Sequence, residues 1–154
     1  MQAQQLRHTE GPPRLMGQVF VRLTLTNRFD EEGAERGLMP RSDVRSVELD
    51  RVLVDTGATH LCLPADILRR LGVRVDRQVT MLTANGARQT NVYRDIGLRI
   101  EDRGVTVECL ELDAGSQPLL GAVPMQSLGV EPDLVNHRLR LLPEDASSTW
   151  IMAL

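Results

Sequence analysis

The chain has 154 residues, 42% of them apolar and only 3% aromatic, with a formal net charge of −3. That length suits one domain with short flanking segments, and the core must be built from Leu, Val, Ile and Met rather than from rings. A mildly acidic chain without a basic stripe is a poor fit to nucleic acid, and no apolar run approaches the roughly 20 residues that cross a bilayer, so neither nucleic acid nor membrane is expected as a partner.

Residues 1–16 are polar, contain Pro12-Pro13 and read as a loose N-terminal arm. They carry no apolar leader segment, which makes the cytoplasm the expected location. From Gly17 to Thr26 the residues alternate: Val19, Val21, Leu23 and Leu25 fall on one face and Arg22, Thr24 and Thr26 on the other, the pattern of a half-buried strand. Residues 27–43, with Asp30-Glu31-Glu32, Gly33, Gly37 and Pro40, read as a long solvated loop. A second strand is expected from Val44 through Val54.

That strand ends in Val52-Leu53-Val54-Asp55-Thr56-Gly57-Ala58. A carboxylate at the end of an apolar strand costs several kcal/mol to bury unless it is paired or neutralised. Thr56 and Gly57 turn the chain at once, so the aspartate is held rigidly where acid–base chemistry could use it. Leu61-Cys62-Leu63 follows, and then Pro64, which suits the first turn of a helix. Ile67, Leu68 and Leu71 share one helical face and Gly72 is a good stop.

Val79 to Thr83 and Gln89 to Tyr93 flank Asn85-Gly86, a strong hairpin signal. Ile96, Leu98 and Ile100 alternate, as do Val105, Val107 and Cys109. The parity then switches to Leu110 and Leu112, implying a bulge or a strand covered on both faces. After a polar turn at 113–118, Leu119-Leu120-Gly121 is a second apolar run ending in glycine. A short helix closed by Leu128-Gly129-Val130 comes next, and a last hairpin is expected from Leu134-Val135 and Leu139-Arg140-Leu141 around Asn136-His137. Both halves of the chain therefore read as apolar strand, glycine turn, helix, Leu-Gly-Val, consistent either with a pseudo-twofold domain or with two ordinary helix ends. Many short strands and two short helices indicate a mainly β domain over 17–143.

Cys62 and Cys109 form no C-x-x-C and are expected to be free core thiols. His60 and Cys62 share a strand face, but two residues do not make a metal site. No phosphate loop, G-x-S-x-G or H-E-x-x-H occurs, so no metal and no cofactor is expected.

The order of these elements resembles the retropepsin-like aspartic proteases, closest to the single-domain bacterial members. Strand–Asp55-Thr56-Gly57-Ala58 matches their catalytic signature, the hairpin at Asn85-Gly86 sits where they carry a flap, and Leu119-Leu120-Gly121 before a helix matches their second glycine motif. The resemblance implies a closed β-barrel of the acid-protease half-domain type, with two short helices and a flap hairpin. It also implies a homodimeric aspartic endopeptidase acting on peptide or protein. Asp55 and its mate in a second copy would activate a water, sharing one proton because two adjacent carboxylates cannot both ionise. Thr56 and Gly57 would complete the catalytic loop. Ala58, Thr59, Asn85, Gly86 and Leu119 would bind substrate, with Leu61, Leu63 and Val123 adding apolar pocket walls.

The chain departs from the viral pattern in four places, two of them the single glycine, Gly86, at the flap tip and the longer segment 27–43. Thr59 stands where an acidic residue is usual, and Ala122 where an arginine braces the dimer. A non-catalytic dimeric peptide-binding module is therefore the alternative. The internal rival to a second aspartate, Asp113-Ala114-Gly115, sits in a polar turn rather than after an apolar strand. The tail 144–154, with Trp150 and Ile151, is expected either at the dimer interface or as a loose remnant.

Overall fold

The computed structural model describes residues 18–143. The predicted arm at 1–16 and the tail at 144–154 with Trp150 lie outside the described residues. Strands hold 53% and helices 20%, so the mainly β class read from the sequence is the observed one.

In chain order the strands are β1 (Val19–Asn27), β2 (Ser46–Val54), β3 (Leu61–Pro64), β4 (Arg74–Thr83), β5 (Gly86–Ile100), β6 (Arg103–Leu112), β7 (Leu119–Leu120), β8 (Val130–Asp133) and β9 (Arg138–Leu141). The α-helices are α1 (Arg28–Glu35), α2 (Ala65–Leu71) and α3 (Ala122–Leu128), with a single 3-10 turn at Arg41–Asp43. Seven strands form one sheet in the order β1-β2-β7-β3-β6-β5-β4, and β1 also pairs with β5. Six strands therefore close on themselves while β4 hangs on the outside of β5. The hairpin β8–β9 forms a separate small sheet.

The barrel closes because β5 changes neighbours along its length. β5 pairs with β4 as far as Arg94 and with β1 from Ile96 to Arg99. At the switch Tyr93 faces Cys109 and Ile96 faces Val107, one extra residue on β5, and Asp95 there adopts φ 63°. This is the bulge that the parity change at Leu110 implied, placed on the partner strand instead of on β6. A second irregularity lies on β2, where Val21 faces Val52 but Leu23 faces Leu49. Bulges of this kind bend a strand and increase its twist, as closure requires.

The alternating residues of β1 and β5 supply the core. Leu23, Leu25, Val52, Leu61, Leu63, Ile96, Leu98 and Leu120 are buried, and Ile67, Leu68, Leu71, Met125 and Leu128 cap them from the two helices. α2 and α3 are each seven residues long and each stops at a left-handed glycine, Gly72 at φ 65° and Gly129 at φ 66°. The internal repeat thus has a structural counterpart. The ends of β2 and β7, one from each half, pair in parallel as Leu53–Leu119 and Val54–Leu120.

Four expectations need correction. The segment 27–43 is not a loop throughout, because α1 occupies its first half. Asn27 caps that helix by accepting from Asp30 N–H (3.0 Å), and Arg28 pairs with Glu31 (2.9 Å) and Glu35 (3.1 Å). Acidic residues in the first turn suit the helix dipole. Nor is the acidic run simply solvated. Asp30 is only 5% exposed and holds Arg45 through Nε (2.7 Å) and Nη2 (3.0 Å), while Asn27 Nδ2 donates to Leu71 O (2.9 Å), joining α1 to the end of α2.

In the last hairpin Leu134 and Val135 are exposed turn residues, and the strand before them is β8, from Val130. In the long hairpin Thr83 pairs with Gly86, so the two-residue turn is Ala84-Asn85, not Asn85-Gly86. Gly86 takes φ 112°, and Thr83 Oγ1 steadies the turn by accepting from Asn85 N–H (3.3 Å) and donating to Gly86 O (2.8 Å).

Candidate active site

β2 carries Asp55 to the rim of the barrel. Asp55 N–H donates to Leu120 O (2.9 Å), extending the β2–β7 ladder by one bond. The chain then folds back on itself. Gly57 N–H donates to Asp55 Oδ1 (2.9 Å) and Ala58 N–H to Asp55 O (3.1 Å). The side chain thereby turns its own backbone, the usual behaviour of Asp at such a position. Among the described residues, Gly57 supplies the one hydrogen bond that the Asp55 carboxylate accepts.

The second glycine motif clamps this loop. Ala122 N–H donates to Ala58 O (2.8 Å) and Val123 N–H to Thr59 O (3.0 Å). These are free amides of the first turn of α3, satisfied by carbonyls of the aspartate loop. Gly121 makes the approach possible. A Cβ on it would stand 2.4 Å from His60 O and 2.7 Å from Ala58 O, closer than any side chain can sit. Sequence reading noticed Gly121 as a motif but missed this seat, and it took Ala122 for a lost side chain when its backbone N–H is what the loop uses.

Thr56, Gly57 and Thr59 are exposed, and Asp55, Ala58 and His60 are half-buried. The aspartate is therefore not a buried charge in the single chain. Only Val52 of the three apolar residues before it is fully buried, because the strand runs out at an open rim. Leu119 is half-buried beside Leu53 and Cys62, adjacent to the loop. Leu61 and Leu63 are fully buried core residues and wall no pocket, whereas Val123 is exposed. Asn85 and Gly86 lie at the exposed tip of the β4–β5 hairpin; around the barrel β5 is separated from β2 by β1 on one side and by β6, β3 and β7 on the other.

Asp113 is a surface residue with its side chain 72% exposed, paired with Arg88 of the hairpin (2.8 Å). That pair holds its carboxyl below the usual range. Burial, helped by the Asp55 charge, pushes the Cys62 thiol up to about 11, and burial raises Cys109 well above the ordinary value. Both behave as core fillers. No group of three His, Cys, Asp or Glu able to hold a metal occurs among the described residues. A cavity of about 640 Å³ lies between α1 and β5, with Thr24, Glu31, Gly97 and Thr106 in its lining. None of its lining residues belongs to the aspartate loop.

A family model described as gag-polyprotein putative aspartyl protease matches residues 33–126, a span that runs from α1 through the aspartate loop, the long hairpin and the second glycine motif. The chain belongs to this retropepsin-like family of aspartyl proteases. Among solved structures it is similar to EIAV protease complexed with the inhibitor HBY-793, at 24% identity, over 51% of this chain and 76% of that one, with a TM-score of 0.43. No curated protein matches it.

Proposed function

We propose that this chain is an aspartic endopeptidase that works as a homodimer, with Asp55 of each copy forming one catalytic pair. The observation that carries the reading is the Asp55 loop itself. Its carboxylate stands at an open rim, on a loop held by the Asp55 N–H bond to Leu120 O and by the α3 amides on Ala58 O and Thr59 O, and no second Asp-Thr-Gly exists in the chain. A twofold axis beside the rim would set the same residue opposite itself. The ionised member of the pair takes a proton from water, and the protonated member donates to the scissile carbonyl oxygen.

Thr56 and Gly57, exposed at the apex, are the groups a second copy would meet. Peptide would bind extended, using main-chain groups of Ala58 and Thr59 on one side and the Asn85-Gly86 hairpin on the other, with Leu119 as an apolar wall.

The test is cleavage of a diverse peptide library at acid and neutral pH by wild type, Asp55→Asn and Asp113→Asn, read by mass spectrometry. Asp55→Asn should lower cleavage by roughly 10³-fold or more while remaining folded. Asp113→Asn should stay within about twofold, since its carboxylate serves only an exposed ion pair. Undiminished cleavage by a folded Asp55→Asn variant refutes the reading. Tight peptide binding by wild type without any cut identifies a binding module instead.

A further inference from the structure

The amides of α3 that hold the aspartate loop are only as well placed as the helix that carries them. α3 is seven residues long, with no acidic side chain in its first turn and no basic one in its last, so no charged side chain of its own serves the carbonyls at its far end. A group from another strand reaches it. Arg103, the first residue of β6, donates through Nη1 to Leu128 O (3.1 Å) and Gly129 O (2.5 Å), and through Nη2 to Leu142 O. Leu142 N–H in turn donates to Gly129 O (2.8 Å). One guanidinium thus gathers carbonyls from the end of α3 and from the segment after β9. A Cβ on Gly129 would come within 2.9 Å of Nη1, so glycine leaves the room this contact needs. A cation at a helix C-terminus is favourable, and a planar fork can serve several carbonyls at once where an ammonium cannot.

We infer that Arg103 is a positioning residue for Asp55, acting through α3. The inference rests on the reading of Asp55 as the catalytic aspartate. The helix is about 10 Å long and is anchored in the core by Pro124, Met125 and Leu128, so it moves as a body. If its C-terminal end is freed, the N–H groups of Ala122 and Val123 drift from the carbonyls of Ala58 and Thr59. Those carbonyls follow Gly57 directly, and the loop that aims the carboxylate loosens with them.

Amide hydrogen exchange on the full chain tests this without needing activity. In Arg103→Gln the amides of Ala122 and Val123 should exchange roughly tenfold faster or more. Arg103→Lys, which keeps the charge but not the fork, should fall between. The amides of the β4–β5 ladder should keep wild-type rates. Peptide cleavage measured in parallel should lose kcat with KM held, partly rescued in the Lys variant. If only Gly129 and Leu142 exchange faster, or if every amide accelerates together, Arg103 merely anchors the C-terminal hairpin or the whole fold, and the inference is overturned. Should wild type cut no peptide at all, the proposed function fails on its own, and the exchange pattern still decides the role of Arg103. Where Arg103→Gln does not fold, the Lys variant alone gives the same comparison.

Discussion

Replacing Gly121 by alanine should separate the aspartate loop from the helix that clamps it. The added Cβ would lie 2.4 Å from His60 O, 2.7 Å from Ala58 O and 2.7 Å from Thr59 C. All three are backbone atoms, so no side-chain rotation relieves the clash. Either the loop or α3 must back away, and the bonds from Ala122 to Ala58 and from Val123 to Thr59 stretch or break. Two such bonds are worth about 1 kcal/mol each, and forced overpacking costs about 1–3 kcal/mol. The expected loss is therefore about 3–5 kcal/mol, or on the order of 10–20 °C in Tm for a domain of this size. Thermal and urea unfolding at fixed protein concentration give the measurement. Gly104→Ala is the control, because the nearest atoms to a Cβ there are the flexible Arg99 side chain at 3.4 Å and Leu98 O at 3.7 Å, and it should change stability by about 0.5 kcal/mol or less. A Gly121→Ala protein within 1 kcal/mol of wild type would refute the account of the clamp.

Asp30→Asn should destabilise by about 1–2 kcal/mol at neutral pH, the lower part of the usual range because half-exposed Arg45 remains solvated. Hydrogen bonds from Arg45 hold the Asp30 carboxyl below its ordinary 3.8. Its folded value lies beneath its unfolded one, so the stabilisation is fully present above the unfolded value and disappears as pH falls through the folded one. The gap between wild type and variant should accordingly close in acid; a gap that stays constant from neutral pH to below the carboxylate range would contradict the pairing. Native protein near pH 8 should react with thiol reagents only slowly, since Cys62 is raised to about 11 and Cys109 is enclosed. Both thiols should appear together on denaturation, and a fast-reacting cysteine in the native state would show that β3 or β6 opens.

The strands were legible because burial forces alternation. Val19, Leu23 and Leu25 point inward wherever the pattern says they should, and both helix ends at Gly72 and Gly129 follow from the need for a left-handed residue. α1 was not legible, because it has no apolar stripe. Its one buried side chain is the charged Asp30, and the signals that define it are the Asn27 cap and the Arg28–Glu31–Glu35 pairs, set among glycines that argue for a loop. The aspartate loop could be read as a motif, but its clamp could not. Backbone amides of Ala122 and Val123 leave no mark in side-chain identity, and neither does the closeness of Gly121 to His60. Arg45 with Asp30, and Arg103 with Leu142, are contacts between segments far apart in the chain, each made by an arginine that looks like any other surface charge.

The double pairing of β1 has a consequence for how the protein is made. Its first partner, β2, follows within about 30 residues, but its second edge waits for β5, with Leu25 matched to Leu98. At ribosomal rates of about 5–20 residues per second, roughly 70 further residues take several seconds to appear. Throughout that time the outer edge of β1 is an unpaired template, open to any extended segment nearby. The barrel can close only after the bulge at Asp95 has been synthesised, so folding should be late, non-local and slow for the size of the chain. A nascent chain with only residues up to 94 outside the ribosome would be expected to be far more prone to aggregation than one with β7 and α3, through Leu128, also outside.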